Sequence, residues 1–106
     1  MSTTEKTDTD TAPLEVIKNE ALDRFEIHIG DEVAFLRYAE EPGGIHLIHT
    51  EVPEKLSGQG IGGRLAAFAL DHARARRLRV IPSCPYVRAY IDRHPEYADL
   101  VAPGQE

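Results

Sequence analysis

The chain has 106 residues, 42% of them hydrophobic, enough for one packed core and too few for two. Its formal net charge is −6, from 18 acidic against 12 basic residues. That balance argues against a duplex nucleic-acid binder, which needs a basic face, and mildly favours a cationic partner such as an amine.

Residues 1–13 are polar and Thr-rich. They lack the apolar stretch of a secretory leader and are expected to form a disordered tail, leaving a single domain over residues 14–106. Residues 14–19 read as a short first strand. Residues 24–29 alternate through Phe25, Ile27 and Ile29, the pattern of a strand with one buried face. Gly30-Asp31 is a tight-turn signal, and residues 32–39 supply a third strand. Pro42, Gly43 and Gly44 mark a second turn before a fourth strand over residues 45–52, which Pro53 stops. Short links between four strands predict an antiparallel meander.

A helix pattern starts at Gly60 and places Ile61, Leu65, Phe68, Ala69, His72 and Ala73 at spacings of three and four. Arg74, Arg76 and Arg77 crowd its C-terminal end, where positive charge complements the helix dipole. Residues 78–81 form a fifth strand stopped by Pro82. Pro85 suits the first turn of a second helix over residues 86–93, which His94-Pro95 ends. Residues 96–101 allow one more turn. A strand, crossover helix and next strand is a right-handed parallel unit. The expected class is therefore α+β, with a mixed, mostly antiparallel sheet.

The stretch with most chemical content is Ser57-Gly58-Gln59-Gly60-Ile61-Gly62-Gly63-Arg64. A glycine-rich turn entering a helix lines up orphan backbone N–H groups, and these with the dipole favour a phosphate. A Walker A loop is excluded, because Arg64-Leu65 stand where Lys-Ser/Thr is needed. G-x-G-x-x-G matches at Gly58, Gly60 and Gly63, but a loop separates it from the preceding strand and no acidic residue closes the next one.

Residues 57–62 resemble in register the pyrophosphate loop of the GNAT superfamily of acyl-CoA N-acyltransferases, Gln/Arg-x-x-Gly-x-Gly/Ala. The element order resembles that superfamily too. The segments His49-Thr50-Glu51-Val52-Pro53, Gly58-Gln59-Gly60-Ile61-Gly62, Ile81-Pro82-Ser83-Cys84-Pro85-Tyr86 and His94-Pro95-Glu96-Tyr97 resemble more narrowly its small, roughly hundred-residue branch. Ser57 replaces the Gln/Arg side chain, and His94-Pro95 replaces the common Gly-Phe. The resemblance implies that the fourth and fifth strands splay apart to admit the pantetheine arm of coenzyme A. Its amides would pair near Glu51, Val52 and Pro53, with the pyrophosphate held by residues 58–64.

The resemblance also implies an N-acetyltransferase using acetyl-CoA and a small amine or a lysine side chain. Transfer needs a neutral amine, a polarised thioester carbonyl and a proton for the departing thiolate. Cys84 is a candidate acyl acceptor or proton donor, or a small buried filler. Glu51 is a candidate general base sharing a face with His49, or a solvated edge charge. Tyr90 falls near the position of an acidic tyrosine in larger relatives, with Tyr86 one turn earlier; plain packing is the alternative for both. Arg88 is a further phosphate candidate.

His46 and His49, three apart on a strand, are expected on opposite faces, and no metal site is expected. One cysteine excludes an internal disulfide and suits a reducing compartment. No apolar run reaches membrane-spanning length, so the expected location is cytoplasmic. The competing function is a coenzyme A or acyl-CoA binding module with little catalysis.

Overall fold

The computed structural model describes residues 15–105. The tail over residues 1–13 lies outside the described residues, as does Leu14. The strands are β1 (Ile17–Asn19), β2 (Arg24–Ile29), β3 (Glu32–Glu41), β4 (Gly44–Glu51) and β5 (Arg79–Pro82), and the helices are α1 (Ile61–Arg76) and α2 (Pro85–Arg93). They form one five-stranded sheet in sequence order, antiparallel except for the parallel pair β4–β5. Single turns at Glu54–Leu56 and Pro95–Leu100 follow β4 and α2.

Each hairpin bends where its residues allow. Gly30 and Gly43 take φ of 59° and 77°, the left-handed region that only glycine enters without strain. The cross-strand register then puts Phe25 opposite Leu36 and Tyr38 opposite Leu47, so one sheet face is apolar. Both helices pack there. Phe25 meets the rings of Phe68 and His72 from α1, at centroid distances of 5.6 and 5.4 Å. Val87 and Ile91 of α2 join the same buried cluster. His72 also reaches β3, with Nε2 3.0 Å from the Glu40 carboxylate.

The opposite face is polar. Glu26 is nonetheless buried, because its carboxylate accepts from Asn19 Nδ2 at 3.0 Å, from Arg24 Nε and Nη2 at 2.9 and 2.6 Å, and pairs with His28 Nε2 at 2.8 Å. Arg24 in turn lies over the Phe35 ring, 4.3 Å from its centroid.

Two expectations change. Pro82 does not stop β5 but is its last residue, buried opposite Leu47, because an edge position asks no N–H of it there. The second change lies in β4. Its pairing with β3 shifts between Arg37 and Tyr38, which face His49 and Leu47, so Ile48 is an extra residue. Such a bulge inverts the alternation of every side chain beyond it. His46 and His49, opposite Ala39 and Arg37, therefore share a face rather than straddling the sheet. Among the described residues no group of three or more His, Cys, Asp or Glu could hold a metal. No helix among them is long and apolar enough to cross a membrane.

Candidate functional site

The ladder between β4 and β5 ends at Leu47 opposite Pro82, and the Cys84 N–H donates to the Leu47 carbonyl at 2.9 Å. Past this point β4 continues as far as Glu51 while β5 turns into α2, so the two strands part. The chain leaving β4 makes the turn Glu54–Leu56, and the Leu56 N–H closes it onto the Pro53 carbonyl at 2.8 Å. It then returns through Gly58 and Gly60, with φ of 80° and 76°.

Gly60 is the cap residue of α1, and no side chain caps the helix start. The Ser57 hydroxyl donates instead to the Glu54 carbonyl at 2.9 Å. The first helical bond runs from the Arg64 N–H to the Gly60 carbonyl at 3.1 Å. The N–H groups of Ile61, Gly62 and Gly63 therefore precede the helical ladder and sit at its positive end. Ile61 and Gly62 line a hollow of about 300 Å³ together with Val52, Leu56, Ser57, Gly58, Gly60 and Tyr86.

Tyr86 of α2 forms one wall of this hollow. A Cβ on Gly62 would lie 2.9 Å from its Cζ and Oη, so glycine there lets the phenol rest on the first turn of α1. Tyr90 lies against Gly63 at ordinary contact distance, its Cε1 3.5 Å from where a Cβ would be, so glycine is not required there. Tyr90 stacks on His94 at 4.0 Å between ring centroids. Burial, reinforced by Glu96 and Asp71, pushes its hydroxyl above the usual tyrosine range.

The bulge at Ile48 decides which side each residue of the β4 end serves. Thr50 stands opposite Leu36, on the helix side, and its Oγ1 is 3.4 Å from the buried Cys84 Sγ. Glu51 stands opposite Phe35, on the polar side, paired with His49 Nε2 at 3.1 Å and exposed.

The expected site residues thus divide. Val52, Ser57, Gly58, Gly60, Ile61 and Gly62 come together around the hollow, with Gly63 in the adjoining turn and Pro53 and Gln59 on the flanking loop. Arg64 lines a different hollow with Val16, Phe68 and Asp71. Arg88 donates to the Gln105 carbonyl at 3.2 Å and lines a third, with Pro82 and Ile91. Cys84, Glu51 and Tyr90 are the catalytic candidates in the sequence, which does not single out Thr50. Tyr86, not Tyr90, lines the hollow. Tyr86 stands four residues before Tyr90, on the same face of α2, so helical spacing makes it legible beside Tyr90; nothing local announces Thr50, because its side depends on the bulge.

A mixed sheet whose one parallel pair parts beside an uncapped, glycine-led helix is a GNAT-like acyltransferase fold. Comparison with known proteins agrees. The GCN5-related N-acetyl-transferase family model matches residues 24–100. The NMR solution structure of a GCN5-like protein from Staphylococcus aureus superposes with a TM-score of 0.67 at 28% identity, covering 86% of this chain and 90% of that one. Protein NATD1 of human and of mouse is 34% identical over 61 residues, 56% of this chain. The chain spans about half the length of these curated relatives, 54% and 56% respectively. The chain belongs to the GCN5-related N-acetyl-transferase family.

Proposed function

We propose that the chain is an acetyl-CoA-dependent N-acetyltransferase that transfers an acetyl group to an amine, either a small amine or a protein lysine. One observation carries this reading: the uncapped start of α1 and its glycine turn open on a hollow walled by Val52, the residue that follows β4, and by Tyr86 of α2, beyond the last β4–β5 pair. A diphosphate suits the N–H groups of residues 60–63, and the left-handed glycines at 58 and 60 keep the approach clear. The pantetheine amides then pair with the β4 end near Glu51, Val52 and Pro53, where β5 no longer occupies that edge.

The two sides of the β4 end divide the chemistry. The thioester lies on the helix side, near Thr50 and Cys84. The amine approaches from the polar side, where Glu51, oriented by His49, takes its proton. Cys84 has 2% exposure, so placing an acyl group on its sulfur requires its neighbours to move, whereas serving as a hydrogen-bond donor does not. Tyr90, kept protonated by burial, is a donor behind Gly63. Arg88 reaches a CoA phosphate only by giving up its bond to Gln105. The net charge of −6 supports an amine acceptor and speaks against a nucleic-acid partner. A single domain over residues 14–106, acting in the cytoplasm, completes the proposal.

A second reading, a CoA-binding module with little turnover, is favoured by the exposure of Glu51, which leaves its carboxylate solvated rather than held for proton abstraction. Calorimetry with coenzyme A together with thiol release from acetyl-CoA over a panel of amines separates the two. Binding with amine-dependent release supports the enzyme. Binding without release supports the module, and no binding refutes both.

A further inference from the structure

We propose that Thr50, rather than Cys84, is the side chain that touches the thioester sulfur, with Cys84 acting behind it as a positioning residue. This inference rests on the acetyltransferase reading above. It starts from the bulge. Were Ile48 an ordinary member of the strand rather than a bulge, alternation would put Glu51 on the side of Leu47 and leave Thr50 on the polar face. With it, Thr50 turns to the helix side, past the last β4–β5 pair, next in line to Val52 at the hollow.

There the two groups differ in reach. Cys84 is a buried member of the core cluster, whereas Thr50 is half-buried and retains solvent access. The 3.4 Å contact between Oγ1 and Sγ joins them. Either atom can donate in this contact; with the Cys84 thiol as the donor to Oγ1, the Thr50 hydroxyl hydrogen is left to point into the gap between the strands. That hydrogen bonds the thioester sulfur as charge develops on it. Glu51 takes the proton lost by the amine nitrogen and returns it to solvent, and the departing thiolate takes one from solvent, so amine and thioester give amide and thiol in balance. The hydroxyl stabilises the charge and is itself unchanged.

The test compares Thr50→Val, Thr50→Ser and Cys84→Ala in steady-state acetyl transfer, with coenzyme A affinity by calorimetry and a thermal melt for each. Thr50→Val is expected to lower kcat roughly a hundred- to a thousandfold, the scale for losing one donor at a developing charge, with KM for acetyl-CoA and the melt unchanged. Thr50→Ser restores most of the rate. Cys84→Ala loses less than Thr50→Val. Loss of activity in Cys84→Ala with a neutral Thr50→Val overturns the assignment, as does failure of serine to rescue in a folded variant. A wild-type protein that binds no coenzyme A refutes instead the reading on which the inference rests.

Discussion

Replacing Gly62 by alanine separates the role of this glycine in folding from its role in binding. The added Cβ would meet Tyr86 Cζ and Oη at 2.9 Å and Cε2 at 3.1 Å, closer than real carbon contacts come. The obstacle is the far end of one side chain, and that side chain is 39% exposed. A retreat of about half an ångström at the ring tip needs only a small side-chain rotation, well inside the roughly 30° that costs about 1 kcal/mol. Alanine in place of glycine returns up to about 1 kcal/mol of helix propensity. The two effects offset, so the melting temperature is expected to move by less than about 4 °C. Binding is not spared. The methyl stands on the first turn of α1 and Tyr86 is displaced within the hollow, which is overpacking of about 1–3 kcal/mol if coenzyme A sits there. Calorimetry should then show affinity weakened about tenfold or more. Undiminished affinity in a folded Gly62→Ala protein would refute the placement of the ligand. A large fall in the melting temperature would refute the claim that Tyr86 yields.

Gly60→Ala meets no atom within 4 Å yet forces alanine to φ 76°; it should cost about 1–2 kcal/mol by denaturant titration, and an unchanged midpoint would contradict the strain argument. For Glu26, burial works to raise the carboxyl, but hydrogen bonds from His28, Arg24 and Asn19 overrule it and hold it below its ordinary value of 4.5. Its stabilisation is present above that value and lost as pH falls through the lower folded value. Glu26→Gln should cost about 2 kcal/mol at pH 7 and flatten this acid-side loss, checked by chemical unfolding at pH 7 and pH 3. Tyr97 is pushed up to about 12 by burial and by its hydroxyl donating to Asp71 at 3.0 Å. Stability should therefore decline from pH 10 towards 12, and Tyr97→Phe should reduce that decline; an identical alkaline slope would count against the contact.

The parts of this fold that local chemistry writes are legible in the residues. Gly30 and Gly43 mark turns because their φ values exclude most other residues. The α1 start is visible because glycines at 58 and 60 interrupt the chain just before an Ala- and Leu-rich run. The parallel β5 follows from crossover handedness. What is not local is not legible. No glycine or proline marks the bulge at Ile48; it exists only in the pairing of β4 with β3. Reading β4 as an uninterrupted strand therefore separates His46 from His49, misses that Thr50 meets Cys84, and would turn Glu51 to the side of Leu47. Phe68 shows the same limit from the other direction. It has the helical spacing of a core residue but lies 38% exposed at the edge of the α1 contact with Phe25.

An amide-resolved NMR titration with coenzyme A tests the central claim most directly. The account predicts progressive shifts confined to residues 50–52, to residues 58–63 and to the amides of Cys84 and Tyr86. A spectrum unmoved at millimolar ligand, or shifts gathered instead around Arg88 and Gln105, would contradict it.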